Sequence, residues 1–244
     1  KGVGTFGGSE DHTAILCCRP NQISQYAYCP VRFQRGIQLP DGYTFAVGAS
    51  GVVAEKAGGA RERFNRASLL SSALIELWRE RTKHREQYLA DAMASAPDAL
   101  ETLQSIVKTS KHHVYCADAL LRRLEHFQLE NNQVIPAAGD ALDHGDLASF
   151  GKWVDRSQQG AERLLGNQIP ETIYLAATAR NLGAPAASTF GAGFGGSVWA
   201  LIKSGDADTF LAAWADGYRR KFPRRDQTCS FFTTAAGPAA LRLC

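Results

Sequence analysis

Residues 188–197, Ser-Thr-Phe-Gly-Ala-Gly-Phe-Gly-Gly-Ser, restrict this chain more than any other stretch. Gly191, Gly193, Gly195 and Gly196 fall within six positions, and Val198-Trp199-Ala200-Leu201-Ile202 follows at once. Glycine loses the most backbone freedom on folding, so such a cluster marks a place that needs positive φ or a close approach to the backbone. The approaching object is either an anion held by exposed N–H groups or a neighbouring strand. Spacing alone leaves both open. The flanks, 186–190 and 197–202, read as strands, which makes the stretch a strand–loop–strand unit.

The remaining pattern divides in two. Residues 2–8 form a second glycine-rich turn, after which Ser9 stands as an N-cap with Glu10 and Asp11 in the acidic first turn of a short helix. Beyond Pro20 the period is two, and 24–29, 31–39 and 43–50 read as strands, with Asp41-Gly42 as a hairpin signal between the last two. From Ala57 a helical period takes over, with apolar residues recurring at three and four positions. Pro97 ends the first run, and Asp98 caps a helix reaching to 107. Further helices are expected at 114–127, 136–142, 146–163, 170–182 and 206–222, and closing strands at 228–233 and 241–243. Strands, a helical block, then strand–loop–strand–helix–strand make an α+β protein.

With 244 residues the chain can form one large domain or two modest lobes. A formal charge of +3, spread along the sequence, excludes a nucleic-acid footprint. The densest basic run, Arg219-Arg220-Lys221 with Arg224-Arg225, ends a helical pattern, where cations suit the helix dipole. Six cysteines without a Cys-x-x-Cys pair point to reduced thiols in a cytoplasmic protein, not to structural zinc. The neighbours His112-His113 cannot both face one metal from a helix, so no metal site is expected. No signal peptide or membrane span is apparent. The start at Lys1-Gly2-Val3-Gly4, without methionine, reads as though an upstream part is missing.

Asp11 follows a glycine turn at a helix start, where a carboxylate serves as general base if a substrate hydroxyl comes within hydrogen-bond reach. It equally complements the helix dipole, and local sequence leaves both roles open. His12 stands beside it as a partner or as a surface residue.

Taken together and in order, the two glycine stretches resemble a known family. Gly7-Gly8-Ser9-Glu10-Asp11-His12 resembles the galactokinase segment in which glycines precede a catalytic aspartate. Gly191-Ala192-Gly193-Phe194-Gly195-Gly196-Ser197 resembles the third motif of the GHMP small-molecule kinases in its galactokinase form. The likeness runs on through Val47-Gly48-Ala49-Ser50, residues 61–68, His113-Val114 and Ile169-Pro170-Glu171.

The resemblance implies an ATP-dependent sugar kinase acting on the anomeric hydroxyl of galactose or a related sugar, with ATP and Mg2+ as cofactors. It implies a two-lobed fold: residues 1–56 as the end of an N-terminal lobe and 57–244 as a C-terminal lobe with antiparallel sheet and helices. Asp11 is then the residue that orients or deprotonates the sugar hydroxyl. Gly191, Gly193, Phe194, Gly195, Gly196 and Ser197 lie beside nucleotide phosphates and sugar, with Gly8, Glu10, His12 and Arg61 as further substrate contacts. The family's serine-rich phosphate loop and an earlier sugar-binding segment are expected before Lys1, so the fragment alone is expected to be inactive. His12 replaces the family's glutamine and Ala192 a glycine. Arg61 stands near a sugar-contacting tyrosine of galactokinases, where it meets a substrate carboxylate bidentately or remains an exposed helix residue. A catalytically inactive sugar- and nucleotide-binding regulator, or a GHMP kinase for a non-sugar molecule, are the alternatives.

Overall fold

The period-two segments do form strands, but they enter two different sheets. The computed structural model describes residue 6, residues 8–54 and residues 61–240. Strands β1 (Gln22–Ala27) and β2 (Arg32–Gln38) pair antiparallel as a separate two-stranded sheet. The next strand, β3 (Tyr43–Ala49), joins β4 (Ala186–Thr189), β5 (Ser197–Lys203) and β6 (Ser230–Thr234) in a four-stranded antiparallel sheet of order β4-β5-β3-β6.

This corrects the hairpin expected at Asp41-Gly42. The turn forms, with Gly42 at φ +75° and the Tyr43 N–H on the Pro40 carbonyl at 3.2 Å. However, the Gly42 carbonyl accepts from the Ser204 N–H at 2.8 Å, which sends β3 along β5 and not back along β2. Residues 46–48 are buried, and a strand covered on both faces belongs in the middle of a sheet. The expected division at 56/57 therefore runs across a hydrogen-bonded unit, since β3 pairs on both sides with strands from beyond it.

Side-chain alternation along β5 builds two cores. Val198, Ala200 and Ile202 face α8 (Pro170–Asn181) and α9 (Ala207–Lys221), where Leu175, Trp214 and Tyr218 are buried with them. Trp199 and Leu201 face the other way, toward Ile37 of β2, α6 (Ile135–Asp143) and α7 (Leu147–Gly160). A third core belongs to the helical block of α2 (Arg61–Thr82), α3 (Leu89–Ala94), α4 (Ala99–Thr109) and α5 (Ala117–Gln128). Leu74, Trp78, Leu103, Leu120 and Leu124 interlock there at helical spacing, each side chain removed from water contributing about 1.5–3 kcal/mol.

Two features were not legible beforehand. Helices α5 and α7 each run into a π-helical turn, at Leu129–Val134 and Ala161–Leu165, where the pattern had suggested one helix over 146–163. The short helix α1 (Glu10–Cys17) forms as expected but buries no residue. The strand expected at 241–243 lies outside the described residues, as do residues 1–5, residue 7 and residues 55–60. Among the described residues no helix is long and apolar enough to cross a membrane.

Candidate functional site

The loop between β4 and β5 takes the conformation that its glycines permit. Gly191, Gly193, Gly195 and Gly196 have φ of +53°, +79°, +139° and +82°, and Phe194 joins them at +60°. A left-handed Phe costs on the order of 1–2 kcal/mol, so the surroundings must enforce it. They do so through the Phe194 N–H, which donates to the Asn167 carbonyl at 2.6 Å, and through the ring, which packs edge-on against Phe64 of α2 at 5.3 Å.

Other braces act on the loop's remaining corners. The Asn167 amide donates to the Ala192 carbonyl at 3.0 Å. The Gly196 N–H donates to the Val52 carbonyl at 2.9 Å, and the Gly196 carbonyl accepts both the Ser50 N–H (3.0 Å) and the Ser50 hydroxyl (2.6 Å). Ser50 is held in turn by the Tyr218 phenol, which donates to its carbonyl at 2.6 Å. Burial raises the Tyr218 pKa above its ordinary value, so the phenol remains a donor throughout the physiological range. Ser197 opens β5 and closes the loop by accepting the Phe190 N–H at 3.0 Å.

These contacts consume the N–H groups of Phe194 and Gly196. Among the described residues, no protein acceptor takes the N–H of Gly191, Ala192, Gly193 or Gly195. Gly191 and Gly196 also have open space where a Cβ would stand. Free donors on a fixed, side-chain-poor turn suit a phosphoryl-bearing ligand such as a nucleotide. For Mg2+ no ligand set is assigned: among the described residues, no three or more His, Cys, Asp or Glu side chains gather as a metal site.

The other candidate residues lie on α1 and at the start of α2. Ser9 occupies the N-cap position of α1 without a side-chain capping bond; its carbonyl takes the Thr13 N–H at 2.7 Å. Asp11 is exposed and its side chain makes no hydrogen bond or ion pair among the described residues. Glu10 and His12 are exposed beside it, and successive helical residues point about 100° apart, so the three do not share one direction. Gly8 lies where a Cβ would press on the Tyr28 ring at 3.2 Å. Arg61 is exposed at the first position of α2, while Arg63, two residues on, lies over the Phe194 ring at 5.7 Å.

Helix α2 links the two sequence motifs. The Phe6 N–H, shortly before α1, donates to Asn65 Oδ1 at 2.8 Å, and the adjacent Phe64 carries the contact to Phe194. The segment that leads to Asp11 and the glycine loop thus meet the same turn of one helix.

Sequence reasoning missed the supports. Asn167, Ser50 and Tyr218 act on partners 25, 146 and 168 positions away, and no local pattern signals such contacts. Two half-buried ionisable groups also emerged. His126 has its pKa lowered to about 4, first by burial and then by Arg123, whose Nη1 lies 3.4 Å from its Nδ1. Glu130, in the first π-helical turn, has its pKa raised by burial against an opposing hydrogen bond from Ser157, and its Oε1 has no partner.

Comparison with known proteins places this geometry. Residues 140–220 match the family model described as GHMP kinases C terminal, a span that includes Asn167 and the whole loop but not Asp11. A galactokinase of Roseiflexus sp. (strain RS-1) is 30% identical over 108 residues, 44% of this chain and 27% of that protein. A galactokinase of Lacticaseibacillus casei (strain BL23) is 32% identical over 105 residues, 42% of this chain and 26% of that one. In three dimensions the chain resembles the crystal structure of Lactococcus lactis galactokinase complexed with galactose, with a TM-score of 0.72 at 18% identity. That match covers 92% of this chain and 53% of that one. The chain spans about a quarter to a half of the length of the proteins it matches, and within that span it is similar to galactokinases and to the C-terminal part of GHMP kinases.

Proposed function

We propose that this chain, galactokinase-like in fold and matching the GHMP kinase C-terminal family over residues 140–220, supplies part of the active site of an ATP-dependent sugar kinase. The reaction is transfer of a phosphoryl group to the anomeric hydroxyl of galactose or a related sugar. The observation that carries this reading is the braced loop at 191–196. Its free N–H groups stay fixed by Asn167 and Ser50, and it shares α2 with the segment leading to Asp11.

Phosphoryl transfer needs mainly a positioned nucleophile and stabilised charge. ATP, when bound, supplies the transferable phosphoryl group. The unpartnered Asp11 carboxylate accepts the proton of the sugar hydroxyl or orients that hydroxyl for attack. The N–H groups of the exposed Gly191 and Ala192 are donors for the oxygens on which charge builds, and being already fixed they need no reorganisation. At Gly191, where nothing lies within 4 Å of the place a Cβ would take, the absent side chain lets those oxygens approach the backbone.

The test is sugar-dependent ADP release by the protein joined to the upstream segment that the resemblance implies, and by the Asp11→Ala variant of that longer protein. A general base contributes about 10²–10⁴-fold, so the variant should lose at least that lower factor in kcat while binding nucleotide as before. Near-normal turnover in the variant removes Asp11 from its role. Sugar and nucleotide binding without any ADP release by that longer, otherwise unaltered protein replaces the kinase with a sensor.

A further inference from the structure

On the outer flank of the glycine loop lies a cavity of about 400 Å³, enclosed by α2, α5 and the π-helical turn Ala161–Leu165. Gly191, Ala192 and Phe194 form one wall and Phe64 and Leu70 another. Five side chains around it are cationic: Arg63, Arg66, Arg122, Arg123 and Arg163. No acidic residue lines it among those described.

Their charges are not neutralised within the fold. The ion pairs among the described residues use Arg35, His84, Arg180, Arg219 and Arg225, and none of the five. Glu62 and Asp118, one helical turn before Arg66 and Arg122, make no ion pair with them. Arg63 and Arg66 are instead laid over aromatic rings, Phe194 at 5.7 Å and Tyr115 at 6.0 Å. Arg123 is fixed by its Nε donating to the Ala67 carbonyl at 3.1 Å. Burial lowers its pKa to about 10, which keeps it charged at neutral pH.

We propose that this cavity binds a small sugar-like molecule bearing an oxyanion, either a carboxylate or a phosphate. Like charges gathered without a counterion raise the local potential, and a walled cavity concentrates it. All five cations are arginines, whose planar forks match carboxylate and phosphate oxygens in pairs. The volume suits one monosaccharide-sized body. A metal cation or an amine is excluded by sign. The sugar body is taken from the kinase reading; the oxyanion rests on the cavity alone.

Titration calorimetry on the full chain at low ionic strength tests this with four probes: galacturonate, galactose 1-phosphate, inorganic phosphate and galactose. At least one of the two sugar oxyanions should bind about tenfold or more tighter than galactose, and added salt should weaken it. Tight galacturonate with weak phosphates identifies a carboxylate ligand, and the reverse a phosphate ligand. The double variant R122Q/R163Q, which alters two exposed side chains that make no hydrogen bond or ion pair among the described residues, should lose about tenfold, whereas R122K/R163K should retain part of the affinity. Sugar oxyanions that bind no tighter than galactose, or that bind the Gln variant unchanged, overturn the site. The readout needs no turnover, so its failure leaves the kinase reading standing, and failure of ADP release leaves this site standing.

Discussion

Around residues 191–196 the backbone is answered by partners from three other parts of the fold, whereas α1, which carries Asp11, buries no residue at all. The loop is held by Asn167 below, Val52 and Ser50 at its far end, and Phe64 against its aromatic corner. Helix α1 is held at its margins: by the Phe6–Asn65 bond ahead of it, by Tyr26 on the Cys17 carbonyl, and by the Ala240 N–H on the Ile15 carbonyl. The difference separates two kinds of catalytic contribution. A preorganised donor array works only if its geometry is frozen. A single carboxylate works through its own chemistry and tolerates a looser mounting. Substitutions in the loop should therefore act through shape, and substitutions in α1 away from Asp11 should act hardly at all.

The largest effect that would break or sharpen this contrast is expected at Gly193. A Cβ there, at φ +79°, lands on the backbone oxygen of buried Asn167, the atom that also accepts the Phe194 N–H. Gly193→Ala must displace the loop, and a misplacement near 1 Å lowers turnover on the order of 10²-fold. Gly191→Ala is the internal control: nothing lies within 4 Å of its Cβ, so only the left-handed backbone, about 1–2 kcal/mol, opposes it. ADP release alongside urea denaturation separates the two. Equal activity in both variants would mean that Asn167 does not set the loop's shape.

Next in size is Tyr218→Phe. The phenol is fully buried and donates to the Ser50 carbonyl, so its removal leaves a buried acceptor short of its partner, at about 1–3 kcal/mol. A lowered Tm with a several-fold loss of kcat is expected, because Ser50 grips the loop through Gly196. An unchanged Tm would show that the brace carries no strain from the loop.

What the sequence disclosed follows from the range of the forces involved. Helical periodicity located α4, α5, α8 and α9 to within a few residues, because burial of one face is written at every third or fourth position. The single run expected from 57 to 97 instead divides into α2 and α3, with residues 83–88 outside any helix. Gly191, Gly193, Gly195 and Gly196 announced a positive-φ loop, and all four have positive φ. The Asp41-Gly42 turn was legible, but its outcome was not: a turn signal fixes local bending, while the partner of β3 is chosen by burial against β5 and β6. The arginine cavity escaped for the same reason. Arg63, Arg66, Arg122, Arg123 and Arg163 come from three separate segments, and only the packing of α2 on α5 brings them together. Arg61, singled out by its place near the motif, stands outside that cavity's lining.

The smallest expected effect tests the weaker half of the comparison most directly. Leu16 on α1 is 66% exposed and Ile15 is 58% exposed, although both are large apolar residues on an otherwise regular helix. If the margins alone hold α1, Leu16→Ala removes little buried surface and should change unfolding free energy by about 0.5 kcal/mol or less. Leu175→Ala, at 0% exposure on α8 beneath the sheet, should cost about 2–5 kcal/mol in the same denaturation series. Leu16 is also more than one helical turn beyond Asp11, so ADP release should be unaltered in its variant. A Leu16→Ala loss approaching that of Leu175→Ala would mean that α1 is seated against apolar surface after all. In that case Asp11 would stand on a mounting as rigid as the loop's, and the division between a frozen donor array and a loosely held base would fall.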